Sequence, residues 1–317
     1  MTDVAQRFKQ LVRIRMIEER ISEAYGEQMM RCPTYFSIGQ EAVAVGVAAA
    51  LGPGDVSFSA HRNHAHYLAK GGSLRALLSE LYGKADGCVG GRGGSLHLFD
   101  ESAGFMGSTP IVGSTIPIAV GSAFASKLRG ESTVTAVFFG DGATEAGVFY
   151  ESLNFAAVHR LPVLFVCENN LYSIYSPLGP RQPPGRRIVD LASATGVRAG
   201  RVDGQDVEIV YEAAAAEVAR LRRGDGPAFL ECMTYRYVQH VGPGNDDHLP
   251  YRSAEEIASW KARDPLPIAA ARIASSGVMT EDEIASWRQA VDGEIADAFR
   301  HARGAPLPEP SVARPSV

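Results

Sequence analysis

The sequence has few features of a secreted or membrane-bound protein. Its 317 residues include four cysteines that lie far apart and form no C-x-x-C pair, so we expect isolated reduced thiols. It has no run of about 18 uncharged apolar residues, the length of a membrane helix. The N-terminal stretch MTDVAQRFKQLVRIRMIEER is polar and amphipathic and lacks the apolar core of a secretory signal. We therefore expect a cytoplasmic protein without a membrane span.

Other absences exclude classes of function. The formal net charge is −5, which argues against a nucleic-acid partner. The phosphate-binding pattern G-x-x-x-x-G-K-[ST] does not occur. The dinucleotide pattern G-x-G-x-x-G fails because Glu145 stands where a third glycine would follow Gly140 and Gly142. An NAD-binding Rossmann enzyme is therefore disfavoured.

What is present is the pattern of a large α/β protein. The chain is 45% hydrophobic and 21% charged, which is typical of a globular domain with a sizeable core. From residue 117 onwards, helical periodicity alternates with short apolar runs. The predicted strands are 133–139, 162–167 and 228–235, and the predicted helices are 117–129, 143–160 and 206–223. This alternation predicts a mostly parallel sheet with helices on both faces.

Further helices are predicted at both ends of the chain. Apolar positions recur at helical spacing over residues 3–25 and 40–51. C-terminal helices are expected from about residue 253, because the segments 253–256 and 280–283 match the capping-box pattern.

The domain organisation is predicted to be simple. We expect residues 1–303 to form one domain that ends in the C-terminal helices. The Pro-rich tail 304–317 is expected to be disordered.

A single carboxylate lies between two glycines where a predicted strand ends. Gly140-Asp141-Gly142 follows strand 133–139, and the next helix is predicted to begin at Ala143. Parallel sheets bind ligands at this carboxyl edge, and a helix N-terminus favours phosphate. Asp141 would repel an anion, so we expect a divalent cation between this carboxylate and a diphosphate.

A second polar cluster closes the next strand. Glu168-Asn169-Asn170 follows the buried strand 162–167, and the return crossover should bring it to the same sheet edge, beside Asp141. Amide and main-chain carbonyl oxygens are neutral ligands that suit magnesium.

Histidines are concentrated in a predicted loop. His61, Arg62, His64 and His66 lie within six residues. Histidine clusters can bind zinc or hydrogen-bond within a loop, but no cysteine lies nearby in sequence. An anion site is the favoured interpretation, because Arg62 offers a fork that matches phosphate.

Taken together, these motifs resemble a known family. Gly-Asp-Gly, 26 intervening residues (143 to 168) and Asn-Asn resemble the thiamine-diphosphate fingerprint. Wider stretches are similar to the alpha subunit of the E1 component of 2-oxo acid dehydrogenase complexes, and acetoin dehydrogenase alpha subunits look especially close. These stretches are SIGQEAVAVGVAAAL, HRNHAHYLAKGG, GGRGGSLHLFD, IVGSTIPIAVGSA, GDGATEAGVFYESLNFAAVHRLPVLFVCENNLYSI and TYRYVQHVGPGNDD. The resemblance covers roughly residues 5–300 in order and implies a thiamine-diphosphate-binding fold.

The resemblance implies roles for individual residues. The implied magnesium ligands are Asp141, Asn170 and the main-chain carbonyl of Tyr172. The residues implied to bind thiamine diphosphate are His61, Arg62, Val112, Gly140, Asp141, Gly142, Ala143, Asn170, Tyr172 and His240. His64 and His240 are the implied catalytic residues, with His64 able to shuttle protons.

Two positions differ from some relatives. Tyr35 stands where some of them have a substrate-side histidine, and its position in the substrate pocket or in the core stays open. Val241 follows His240 where relatives regulated by phosphorylation carry a serine, so that regulatory site is absent.

The implied function is that of an oxidoreductase subunit. A thiamine-diphosphate-dependent E1 enzyme would cleave a carbon–carbon bond next to a ketone, in a 2-oxo acid or in acetoin, and pass the fragment to a lipoyl group on an E2 protein. The glutamate that activates the cofactor is not found in this chain. The resemblance therefore implies a beta subunit that supplies it, in an α2β2 heterotetramer.

Two alternatives stay open at this point. An E1-like transferase could move a two-carbon unit from a ketose phosphate to a carrier protein, which the basic loop 179–187 would favour. A scaffold that has lost the cofactor is the non-enzyme alternative, against which the intact Asp141, Asn170 and Arg62 argue.

Overall fold

A six-stranded parallel sheet forms the centre of the computed structural model, which describes residues 4–30 and 32–309. The strand order is β2-β1-β3-β4-β8-β7, and β5 and β6 form a separate two-stranded hairpin. The strands are β1 (Val56–Ser59), β2 (Phe105–Ser108), β3 (Thr135–Gly140), β4 (Val163–Asn169), β5 (Tyr172–Ser173), β6 (Ser176–Pro177), β7 (Arg198–Asp203) and β8 (Ala228–Met233).

Helices surround this sheet. They are α1 (Val4–Tyr25), α2 (Glu41–Ala50), α3 (His64–Lys70), α4 (Leu74–Leu81), α5 (Thr115–Leu128), α6 (Gly147–Val158), α7 (Leu178–Arg181), α8 (Ile188–Ala194), α9 (Val207–Arg222), α10 (Ala254–Lys261), α11 (Pro265–Ser276) and α12 (Glu281–Gly304). In the part of the chain that the structure describes, no helix has both the length and the apolar character needed to span a membrane.

Alternate side chains of the central strands enter two different cores. Val137 and Phe139 of β3 pack with residues of α5, α6 and α8, whereas Ala136 and Phe138 pack with residues of α2 and α9. Both faces of the sheet are therefore covered, as a parallel sheet requires. The predicted α/β class, with helices on both faces and a helical C-terminal segment, is confirmed.

A third core lies beyond the sheet edge. Helices α1, α3, α4, α11 and α12 contribute most of its buried side chains. Helix α1 has 22 residues and packs in this core, where its Leu11, Ile14 and Ile17 are fully buried. This layer supports α3, which follows β1 at the carboxyl edge of the sheet.

Two segments predicted as loops contain regular structure. The histidine-rich segment turns into helix α3 at His64, so His64 and His66 lie on a helix. The glycine-rich region 85–116 contains strand β2 at the edge of the sheet. Both elements have seven residues or fewer, and such short elements give little periodic signal in the sequence.

The helix predicted from Ala143 begins later than expected. A short 3₁₀ helix covers Asp141–Glu145, Ala146 is extended, and α6 starts at Gly147. The 3₁₀ turn closes when the Ala146 amide donates to the Ala143 carbonyl at 3.2 Å. A single tight turn therefore follows β3 at this sheet edge, and the N-terminus of the α-helix lies further along the chain.

The C-terminal predictions have mixed outcomes. Thr280 and Glu283 form the predicted capping box. Ser253 caps α10, but the Glu256 carboxylate accepts hydrogen bonds from two tyrosines instead of completing the box. The Ala85 amide donates to the Pro306 carbonyl at 2.9 Å, and residues 310–317 of the predicted disordered tail lie outside the described residues.

Candidate active site

A cavity of about 290 Å³ opens where β1, β3 and β4 end. The ten residues predicted to bind the cofactor all line it: His61, Arg62, Val112, Gly140, Asp141, Gly142, Ala143, Asn170, Tyr172 and His240. They come from five separate stretches of the chain. Parallel strands place their carboxyl ends at one edge, and this arrangement gathers the residues.

Strand register determines which residues become neighbours. Gly140 of β3 is the partner of Glu168 in β4, so the two strands end close together, with Asp141 directly after β3 and Asn170 directly after β4. Ser59 of β1 pairs with Phe138, which places His61 on the other side of the same strand end. The acidic and the basic parts of the site are therefore both anchored to β3.

Asp141 is almost fully buried, with 1% of its surface exposed. Its carboxylate accepts a hydrogen bond from the guanidinium of Arg181 in α7. Burial raises the pKa of Asp141, and the positive charge of Arg181 opposes that rise. The structure therefore places a cationic group on the carboxylate that was predicted to bind a metal.

Asn170 is held from two directions. Its Nδ2 donates to Oε1 of Gln40 at 3.0 Å, and its Oδ1 accepts the main-chain amide of Tyr172 at 3.2 Å. Two flanking residues, Leu171 and Ile174, have φ values of +74° and +56°. A positive φ is uncommon for any residue other than glycine, and most of all for a β-branched residue such as Ile174, so this loop adopts its shape against local preference.

Tyr172 is fixed by its side chain. Its hydroxyl and that of Tyr235 both donate to Oε1 of Glu256 at 2.8 Å. Burial and this carboxylate raise the pKa of Tyr172. Helix α10 thereby fixes the position of the main chain that was predicted to bind the cation.

The two glycines of the turn have different spatial roles. A Cβ on Gly142 would lie 2.7 Å from Oγ and 3.1 Å from Cβ of Ser173, so Ser173 would have to move to admit a side chain. A Cβ on Gly140 would meet no atom within 4 Å, so it would project towards the cavity that Gly140 lines. Gly142 therefore allows close packing of the loop, and Gly140 leaves room for a ligand.

Arg62 forms the basic end of the cavity. It is buried and donates to the main-chain carbonyl oxygens of Phe36 and, at 3.2 Å, His240. Burial, together with the charge of Arg236, lowers the pKa of Arg62 to about 9, and the charge of Glu168 partly opposes this change. The guanidinium is thus held by carbonyl groups rather than by a bonded carboxylate.

Three rings form the wall beside Arg62. The ring centroid of Tyr35 lies 4.5 Å from that of His61 and 5.1 Å from that of His240. Burial and the charge of Arg62 lower the pKa of His61 to about 3 and that of His240 to about 4. Both imidazoles are therefore neutral near pH 7, and Tyr35 belongs to the cavity wall.

His64 lies behind the wall and does not line the cavity. It is fully buried, with Nδ1 2.7 Å from Oε1 of Glu18 and Nε2 2.8 Å from Oγ of Ser95. Glu18 also accepts the Ser37 amide at 2.6 Å, next to the Phe36 carbonyl that binds Arg62. Both ring nitrogens of His64 therefore have protein partners, and its role in proton shuttling stays a prediction.

Sequence reasoning missed several residues of the cavity. Gln40 and Glu168 line it, and each stands inside a motif that had been noticed only as a stretch of sequence. Glu168 contacts His66 at 3.1 Å, and His66 contacts Ser59 at 2.8 Å. Arg181, which pairs with Asp141 without lining the cavity, is marked in the sequence only as part of the basic loop 179–187. Its link to Asp141 spans 40 residues and depends on how the chain folds back.

Comparison with known proteins shows the family to which the chain belongs. The family model described as "Dehydrogenase E1 component" matches residues 9–311. The chain is 36% identical over 310 residues to the pyruvate dehydrogenase E1 component subunit alpha of Rhizobium meliloti, covering 98% of this chain and 88% of that protein. It is 37% identical over 304 residues to the alpha subunit of acetoin:2,6-dichlorophenolindophenol oxidoreductase from Cupriavidus necator, covering 96% and 90%. The corresponding Bacillus subtilis subunit is 39% identical over 249 residues, covering 78% and 74%.

The chain is a thiamine-diphosphate-type dehydrogenase component by its fold and its relatives. It belongs to the dehydrogenase E1 component family, and the relatives named above are alpha subunits of pyruvate and acetoin enzymes. The predicted family and class of enzyme are confirmed.

Proposed function

We propose that this chain is the alpha subunit of a cytoplasmic heteromeric E1 enzyme that uses thiamine diphosphate and Mg²⁺. The enzyme would cleave the carbon–carbon bond next to the ketone of a 2-oxo acid or of acetoin and pass the fragment to a lipoyl-bearing E2 protein. The observation that supports this most strongly is the convergence of Asp141, Asn170, Tyr172 and Arg62 on one cavity.

The residues present fit a cation at the acidic end of the cavity. A carboxylate, an amide and a main-chain carbonyl supply the hard oxygen atoms that Mg²⁺ prefers. The Asp141 carboxylate is already paired with one positive charge, the guanidinium of Arg181, which a cation would have to replace. Asp141 and Asn170 would hold the cation together with the carbonyl of Tyr172.

The basic end fits a diphosphate. Arg62 points a buried guanidinium at the cavity, and His61 and His240 are neutral imidazoles that can donate a hydrogen bond. Charge-assisted hydrogen bonds of this kind are strong in a buried site. When bound, thiamine diphosphate supplies the electron sink for carbon–carbon cleavage.

The surface next to the cavity supports a beta subunit as partner. Ile111 and Val112 are exposed at the cavity edge, and Ile118, Phe155 and Val158 are exposed on the neighbouring helices α5 and α6. A group of exposed large apolar side chains beside a site is typical of a protein–protein interface. We infer that the beta subunit covers this face, completes the site and supplies the activating glutamate in an α2β2 assembly.

The alternative with a phosphorylated ketose receives little support from the basic loop. Two of its arginines already have carboxylate partners: Arg181 binds Asp141 and Glu145, and Arg187 binds Asp190. Pyruvate and acetoin therefore stand as the first substrates to test.

The test uses the chain co-purified with its beta subunit. Asp141→Ala should abolish the binding of thiamine diphosphate with Mg²⁺ in calorimetry and should stop turnover of pyruvate and acetoin, because the anionic cation ligand is lost. Unchanged cofactor affinity in this variant would refute the assignment. The chain without its partner should show no turnover, and activity of the chain alone would contradict the shared site.

A further inference from the structure

The structure assigns Arg181 to the cation site: we propose that its guanidinium holds Asp141 until a divalent cation displaces it, and that this exchange sets the affinity for the cation. The inference rests on the proposed function, because it concerns the same carboxylate.

The contact has the character of a built site. The Arg181 guanidinium donates to Asp141 through Nη2 and to Glu145 through Nη1. Its Nε donates to the carbonyl oxygens of Ser176 and Pro177 at 3.1 and 3.2 Å. All three nitrogens have partners, and only 9% of the side chain is exposed.

The position of Arg181 in the chain adds a second argument. The segment 170–181 begins at Asn170, forms the hairpin β5–β6 and ends in α7 with Arg181. One short segment therefore carries two predicted ligands of the cation, Asn170 and Tyr172, and the arginine that binds the third, Asp141. A movement of this segment would change all of these contacts together.

Asp141 cannot bind Arg181 and the divalent cation at the same time, because the two positive charges repel each other. A guanidinium and a divalent cation on the same buried carboxylate repel each other strongly, because little water is present to screen them. The Asp141 carboxylate, in turn, is costly to leave buried without a positive partner. Arg181 thus stabilises the chain before cofactor is added and competes with the cation afterwards.

The experiment measures cation affinity and stability separately. The full chain, co-purified with its beta subunit, is titrated with Mn²⁺ and thiamine diphosphate while electron paramagnetic resonance follows free Mn²⁺. Arg181→Gln should bind Mn²⁺ about tenfold more tightly, the scale of one charge-assisted hydrogen bond that no longer has to break. The same variant should unfold at a lower temperature before cofactor is added. Arg187→Gln removes an exposed arginine of the same loop and should change neither quantity.

A second variant covers the case in which Arg181→Gln does not fold. Arg181→Lys keeps the positive charge, but an ammonium cannot bind Asp141 and Glu145 together as the guanidinium does, so this variant should tighten Mn²⁺ binding by a smaller factor. Unchanged Mn²⁺ affinity in both variants, or weaker Mn²⁺ affinity in Arg181→Gln, would overturn the inference. If the wild-type complex itself bound no Mn²⁺, the proposed function would fail along with the inference.

Discussion

The side-chain amide of Asn170 donates a 3.0 Å hydrogen bond to Gln40, a residue that lies 130 positions earlier in the chain. Gln40 is buried at the start of α2 and lines the same cavity. The bond orients the amide so that its oxygen faces the Tyr172 amide. Gln40, at the start of α2, therefore helps to position Asn170, the predicted cation ligand that follows β4.

We expect Gln40→Ala to weaken Mn²⁺ and thiamine-diphosphate affinity about threefold to tenfold, since a neutral hydrogen bond contributes about 1 kcal/mol. The matched control is Gln205→Ala. Gln205 is also buried and hydrogen-bonded, to Thr234 and Tyr237, but it does not line the cavity. Calorimetric titration should show the loss in the first variant alone, and equal losses in both would mean that Gln40 acts only through stability.

Arg62→Ala should weaken thiamine-diphosphate binding by about 1.5–3 kcal/mol, the range for hydrogen bonds to charged groups. Arg62→Lys should not restore the affinity, because an ammonium cannot reproduce the fork that reaches the carbonyls of Phe36 and His240. Arg263→Ala, at an exposed arginine paired with Asp203, serves as control. An affinity for Arg62→Ala that equals wild type in calorimetry would remove Arg62 from the site.

The predicted residues could be located from sequence because most of them follow strands. Asp141 and Asn170 come directly after β3 and β4, and an apolar run that ends in a polar cluster is visible without any structure. His61 was found through its neighbours, although β1 has only four residues and escaped detection. The parallel sheet then brings all strand ends to one edge.

Other features could not be predicted because they depend on distant partners. The bond from Gln40 to Asn170 and the pair of Arg181 with Asp141 join segments that have no periodic relation in sequence. The 3₁₀ turn over Asp141–Glu145, followed by the extended Ala146, likewise has no signal in the spacing of apolar residues. The position of His64 behind the cavity likewise depends on α1, which carries Glu18.

Substitutions of His64 and His240 distinguish a residue that stabilises the fold from one that takes part in catalysis. His64→Ala should lower the free energy of unfolding by about 2–4 kcal/mol, because the buried carboxylate of Glu18 and the hydroxyl of Ser95 lose their partner. His240→Ala should lower turnover more than cofactor affinity, with a change in stability of about 1 kcal/mol or less. Urea denaturation measures the free energy of unfolding of each variant, and steady-state kinetics measures its turnover. A stable His64→Ala variant without turnover would show that His64 takes part in the chemistry.

Stability should fall as the pH is lowered from about 6.5 towards 4. The folded protein keeps His61 and His240 neutral in this window, since their pKa values are about 3 and about 4, whereas the unfolded chain takes up protons near pH 6.5. The unfolded state then binds more protons, so the free energy of unfolding decreases, by about 1–2 kcal/mol per histidine between about pH 7 and pH 5.

Urea denaturation at both pH values checks this dependence. His61→Gln should flatten it, because the variant no longer carries the imidazole that resists protonation. His248→Gln, at an exposed histidine outside the cavity, should leave the slope as it is in the wild type. A His61→Gln protein that loses as much stability as the wild type would assign the effect to other groups.

The carbonyl groups that hold Arg62 have a kinetic consequence. These carbonyl groups orient the guanidinium by accepting its hydrogen bonds. Because they are neutral, they do not cancel its positive charge as a carboxylate would. Although the net charge of the chain is −5, the Arg62 guanidinium should attract anions that approach the cavity from solution. Encounter with a multiply charged anion should therefore be accelerated there and should slow down as ionic strength rises.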